Sequence, residues 1–213
     1  MNAETLGPAG QDELPVEARD ILDFWFADAT RSNEALAFHS ARWFSRDKAF
    51  DEEIRRRFGE LPHKAAAGAF EDWRTTARGS LALVLVLDQL PRNLYRGDSR
   101  AFAYDALALD TALHALERGF DQALHPVEAS FLYMPLEHAE DGDLQARCVS
   151  LFESLVEDAP ENLSEYLARS LDYAERHRRI VARFGRFPHR NKVLGRASNE
   201  EEDEYLASGG DRF

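Results

Sequence analysis

Apolar residues recur every three or four positions along most of this chain, the spacing that gives a helix one apolar face. Pro15 suits a first helical turn, and Val16, Ile21, Leu22 and Trp25 follow it on one side. Leu36, Trp43 and Phe44 mark a second helix, and Phe50, Ile54 and Phe58 a third that ends near Gly59 to Pro62. Ala65, Ala66, Ala69, Phe70 and Trp73 continue the pattern. Gly79 to Leu90 is apolar nearly all round and predicts a buried central helix, ended by Pro91, with Arg92 to Gly97 as a loop or single turn. Asp98 or Ser99 then caps a helix with Phe102, Ala106, Leu109, Leu113 and Leu116 inward, closed by Gly119. Pro126 opens the next helix, in which Pro135 predicts a kink or break. Asp143, Asn162 with Glu165, and Ser198 with Glu201 predict three further helix starts, and Gly185 a helix end. Nothing alternates at period two for long enough to demand a sheet. The expectation is an all-α protein of about nine or ten helices, with short loops favouring antiparallel neighbours. One domain is expected from residue 14 to 213, after a flexible segment over residues 1–13.

Composition narrows the class. The chain has 213 residues, 44% of them hydrophobic and 31% charged, an ordinary globular balance with enough length for a real core. Its single cysteine, Cys148, excludes an internal disulfide and a cysteine-only metal site, and its apolar position predicts an inert core thiol. The longest strongly apolar run, Leu81 to Leu87, is far shorter than the ~20 residues a membrane span needs. Met1 to Leu14 lacks the pattern of a signal peptide, so the cytoplasm is the expected location. A net charge of −13 argues against a protein that coats nucleic acid.

The charge is unevenly spread. Between Ala174 and Arg196 stand Arg176, Arg178, Arg179, Arg183, Arg186, Arg190, Lys192 and Arg196, opposed only by Glu175. Such a segment either grips an anion, with forked guanidinium groups, or pairs with the protein's own acids. A second polar cluster, Asp88, Gln89, Arg92, Asn93 and Arg96, sits just past the most apolar helix. It echoes the first: Leu90-Pro91-Arg92-Asn93 resembles Phe187-Pro188-His189-Arg190-Asn191, with Arg96 and Arg196 following. Arg92 and Arg96 could therefore share a cleft with Arg183, Arg186, Arg190 and Asn191, or the cluster could merely fix a helix end. A third stretch, Tyr133 to Asp141, puts Tyr133, Glu137 and Glu140 at helical spacing and adds His138. Glu137 and His138 are the candidate acid–base groups, because imidazole titrates near neutrality. Glu137, His138, Glu140 and His177 hold metal-type donors, but their spacing matches no recognised ligand pattern, so neither a metal nor a cofactor is expected. Trp25, Trp43 and Trp73 are expected in the core.

Three stretches, Leu87 to Gly97, Phe131 to Asp141 and Arg183 to Asn191, together with the opening Ile21-Leu22-Asp23-Phe24-Trp25-Phe26, resemble a bacterial family catalogued as domain of unknown function 924. The resemblance spans nearly all of the chain past the first dozen residues. It implies antiparallel helix pairs in a tetratricopeptide-like superhelical array, although no repeat near 34 residues is visible, and it implies no activity. Two functions then compete. One is a binding module whose arginine-lined cleft takes a small anionic ligand or an acidic peptide or protein. The alternative is an enzyme acting on a small phosphorylated or carboxylate substrate. The ligand-contacting residues would be Asp88, Gln89, Arg92, Asn93, Arg96, Tyr133, Glu137, His138, His177, Arg183, Arg186, Arg190 and Asn191. RNA binding through residues 174–196 ranks last, since only Phe184 and Phe187 could stack. A closed pocket where titratable groups and arginines converge would favour the enzyme; an open groove would favour the peptide binder.

Overall fold

The computed structural model describes residues 14–213. The expectation for residues 1–13 lies outside the described residues. All regular structure within them is helical: α1 (Val16–Phe26), α2 (Asn33–Trp43), α3 (Lys48–Phe58), α4 (Leu61–Ala66), α5 (Ala77–Val84), α6 (Leu90–Leu94), α7 (Asp105–Glu117), α8 (Pro126–Glu137), α9 (Gly142–Glu157), α10 (Ser164–Phe184) and α11 (Glu200–Ala207). Short 3-10 turns join several of them. The helices bury one main core, with a satellite of Ile180, Val181 and Phe187 beneath α11.

The apolar run at residues 79–90 forms the hub, but it does not stop at Pro91. A single π-helical turn, Leu85–Gln89, joins α5 to α6, and Leu90 donates its N–H back to the Leu85 carbonyl five residues earlier. The wider turn delivers Pro91 to the start of α6, where a missing N–H costs little, so the rod runs on to Leu94. Asp88 and Gln89, the first polar residues after Ser80, are carried in the π turn.

Pro135 likewise fails to break α8, which runs to Glu137. Only one helical turn follows the proline, and the end is held from outside. Gln145 of α9, wholly buried, donates from Nε2 to the carbonyls of Glu137 (2.6 Å) and Ala139 (2.8 Å). Those bonds satisfy acceptors that a helix end leaves open.

Other boundaries shift. Asp98 caps only a 3-10 turn, Ser99–Phe102, and α7 begins at Asp105. Its most buried residues are Ala108, Thr111, Ala112 and Ala115, while Leu109, Leu113 and Leu116 are half-buried beside them. The small side chains let α7 pack closely on α5 and α8. Asp141 caps α9 in place of Asp143, accepting from the Asp143 and Leu144 amides at 2.9 Å each. Ser164 opens α10 after a 3-10 turn, and Asn199 with Glu202 forms the capping box expected at Ser198 and Glu201. Gly185 ends α10 in the left-handed conformation (φ 69°), as expected. Trp25, Trp43, Trp73 and Cys148 are buried.

Candidate functional site

A cavity of about 740 Å3 opens among α2, the π turn, α6, α8 and α10. Helical spacing decides which side chains face it. Ala37, Ser40, Ala41 and Phe44 present one stripe of α2; Ser130, Met134 and Glu137 one stripe of α8; Tyr166, Ser170, Tyr173 and His177 one stripe of α10. Phe102 and Phe152 complete an apolar wall with Trp43.

The polar floor centres on Asp88, which is fully buried. Its Oδ1 lies 2.7 Å from His138 Nδ1, and its Oδ2 accepts from Gln89 Nε2 at 2.6 Å. Arg92 donates to the Asp88 backbone carbonyl at 2.9 Å, sits 3.1 Å from Oδ1, and makes a two-pronged contact with Asp105 at 2.8 and 3.1 Å. Burial alone would push the Asp88 carboxyl up, but the charge of Arg92 and the hydrogen bonds from His138 and Gln89 hold it well below the usual carboxylate range. An ionised Asp88 accepts from His138, so the neutral His138 ring carries its proton on Nδ1 and leaves Nε2 bare. Nε2 has no hydrogen-bond partner among the described residues, and the ring lines the cavity. Burial and the neighbouring Arg92 lower the pKa of His138, keeping that lone pair free near neutral pH.

A second carboxyl–imidazole pair lies beside the first, its ring centroid 6.2 Å from that of His138. His177 Nδ1 is 2.8 Å from the Tyr173 carbonyl and 3.0 Å from Glu137 Oε1. A carbonyl can only accept, so Nδ1 is the donor and Nε2 is again bare; it is buried with no partner. Burial, helped by the negative charge of Asp88, pushes the Glu137 carboxyl up to about 8, so it is largely protonated at neutral pH. Burial and the neighbouring His138 push His177 down to about 2, so its ring stays neutral.

Arg190 completes the floor. It is 6% exposed and lies over the Phe187 and Phe102 rings at 4.3 and 5.0 Å. It donates to the His138 carbonyl at 2.9 Å, but its nearest carboxylate, Asp105, is 3.9 Å away, and its Nε has no partner. Burial and the positive charge of Arg92 lower its pKa to about 10, so it remains a cation.

The structure thus brings Asp88, Gln89, Arg92, Glu137, His138, His177 and Arg190 together. Asn93 and Arg96 border the cavity but are engaged by Asp51, at 2.8 Å from Asn93 and 2.7 Å from Arg96. Four expected contacts lie elsewhere. Tyr133 bonds Asp121 (3.0 Å) and does not line the cavity. Arg183 pairs with Glu201 (2.8 Å), Arg186 with Glu202 (2.6 Å), and Asn191 with Ser198 and Glu202. Glu140 leaves the α8 face to bind Arg196 at 2.5 and 2.9 Å. Much of the basic segment is therefore neutralised internally. Among the described residues, no group of three His, Cys, Asp or Glu is placed to hold a metal. No helix among them is long and apolar enough to cross a membrane. Sequence reasoning missed Asp105, which links the two echoed arginines, although it is the acid that opens α7. It also missed the aromatic wall, since an aromatic lining a cavity has the same helical spacing as one in the core.

No curated protein matches the chain. A solved protein of unknown function from Agrobacterium tumefaciens is 40% identical and superposes with a TM-score of 0.76, covering 90% of this chain and 97% of its own. The family model described as a bacterial protein of unknown function matches residues 21–210. The stretches that surround the cavity fall inside that match, and this chain belongs to the bacterial family of unknown function DUF924.

Proposed function

We propose that the cavity binds a small anionic molecule with an apolar body and that His138, backed by Asp88, moves a proton on it. The observation that carries this reading is a buried guanidinium, Arg190, whose nearest carboxylate is 3.9 Å away and held more closely by Arg92, bonded to the backbone of the histidine whose ring lines the same cavity. A buried cation with only a long, shared counter-charge favours an anion brought in from solution. A buried carboxylate behind an imidazole fixes its tautomer and steadies the imidazolium formed when it takes a proton. A volume of about 740 Å3 suits a small molecule, and the convergence of titratable groups favours chemistry over binding alone.

Calorimetry with phenylacetate and phenyl phosphate tests this. At least one should saturate the wild type, and Arg190→Gln should weaken it at least tenfold. Repeating the titration in two buffers of different ionisation enthalpy should reveal proton uptake, because an anion next to His138 favours its charged form. Binding without proton uptake would remove the acid–base role. Absence of binding by both probes would overturn the reading.

A further inference from the structure

Three groups left partnerless at the cavity are acceptors. His138 Nε2 is a bare lone pair. Gln89 spends its amide N–H groups on Asp88 and the Met134 sulfur at 3.2 Å, so its Oε1 is an acceptor with no partner among the described residues. His177 Nε2 is a third bare acceptor; Phe213 stacks on the ring at 3.5 Å, so only the ring edge is open to a partner. All three belong to residues that line the cavity. Seven arginines line the cavity, and these three acceptors stand among them; a plain carboxylate or phosphate, which brings acceptors only, would leave all three unanswered. The arrangement is the complement of an anion with a hydrogen-bond donor close to it.

That donor could be a hydroxyl or an ammonium group. Arg92 and Arg190 both stand against His138, and their charges oppose a second cation there. The wall of Trp43, Phe44, Phe102 and Phe152 suits a flat apolar body.

Resting on the anion site proposed above, we infer that the ligand is an apolar or aromatic hydroxy acid, its acid group on Arg190 and its hydroxyl donating to His138 Nε2. Buried acceptors that a ligand leaves unpaired discriminate strongly, so the hydroxyl should matter more than the carbon frame.

The test compares four probes of one size by calorimetry: mandelate, phenylacetate, phenylglycine and 1-phenylethanol. Mandelate should bind at least tenfold more tightly than phenylacetate or phenylglycine, and 1-phenylethanol should give no measurable binding. His138→Phe should abolish the preference for mandelate over phenylacetate, both measured in that variant; Gln89→Leu should reduce the preference part of the way. Equal binding of mandelate and phenylacetate, with both lost in Arg190→Gln, would overturn the hydroxyl assignment and leave the anion site standing. Phenylglycine binding as tightly as mandelate would overturn it in favour of an amine. Failure of both acids to bind would overturn this inference and the anion site together. The wild-type comparison needs no variant to fold.

Discussion

Two short segments, Leu90–Asn93 and Phe187–Asn191, are built alike and end in different electrostatic states. In each, a proline opens a short helical turn, an arginine enters the cavity floor, and the next residue, an asparagine, points away to a carboxylate. Asn93 reaches Asp51, and Asn191 reaches Glu202. Each is followed by a second arginine bound to an acid, Arg96 to Asp51 and Arg196 to Glu140. Yet Arg92 has two carboxylates within 3.1 Å, whereas Arg190 has a carbonyl and only Asp105, at 3.9 Å. Pairing makes Arg92 a fastener between the hub rod and α7. Incomplete pairing leaves Arg190 able to serve a ligand. An arginine's residue type and turn geometry do not decide its role; the carboxylates that other segments bring to it do.

The largest expected effect follows from that contrast. Arg92→Ala leaves Asp88 and Asp105 buried or half-buried without their cation, and removing one partner of such a pair costs about 3–5 kcal/mol. Urea unfolding should show that loss, against about 1 kcal/mol or less for Arg190→Gln, which surrenders one hydrogen bond to a carbonyl. Equal losses would erase the distinction between the two arginines. Gln145→Leu comes next. It strips donors from the carbonyls that end α8, at about 1–3 kcal/mol, and should broaden the His138 imidazole signals in NMR spectra. Sharp, unshifted His138 signals would show that α8 holds its own end.

Glu137→Gln probes the neighbouring pair through pH. The folded chain keeps a proton on Glu137 up to about 8, whereas the unfolded chain releases it near 4.5. Wild-type stability contributed by this group is therefore complete below about 4.5 and is lost as pH rises towards about 8. The variant lacks that slope, so its melting temperature should gain on the wild type between pH 5 and pH 8. The ceiling is ~1.4 kcal/mol per pH unit. Parallel melting curves would mean that Glu137 is not held protonated. Smallest of all, Arg183→Ala should change stability by about 0.5 kcal/mol or less and leave probe binding untouched, since its pair with Glu201 is half exposed.

Helix content was readable because spacing is local. Phe50, Ile54 and Phe58 announce α3 by themselves, and Gly185 announces its turn. Boundaries slipped where a non-local or neighbouring group supplied the decisive bond. Pro91 and Pro135 both read as breaks, but a π turn accommodated one and Gln145 supported the helix end beyond the other. The site was half legible. Asp88, Arg92, Glu137 and His138 stood out as strong polar groups against apolar runs, and His177 and Arg190 lay in the basic segment. Arg183, Arg186 and Asn191 looked equivalent to Arg190, and nothing near them in the chain marks the difference.

Sequence alone determined that this chain is helical, that its hub is the run from Gly79, and that two arginine-bearing turns match. All three follow from backbone geometry and side-chain spacing, which act over a few residues. Only the tertiary structure decided that Arg190 keeps its charge largely unanswered, that His138 and His177 present bare nitrogens, and that Glu137 holds a proton. Those properties depend on burial and on charges carried by segments far apart in the chain. No reading along one dimension supplies them, because the energy of a charge is set by what surrounds it in three.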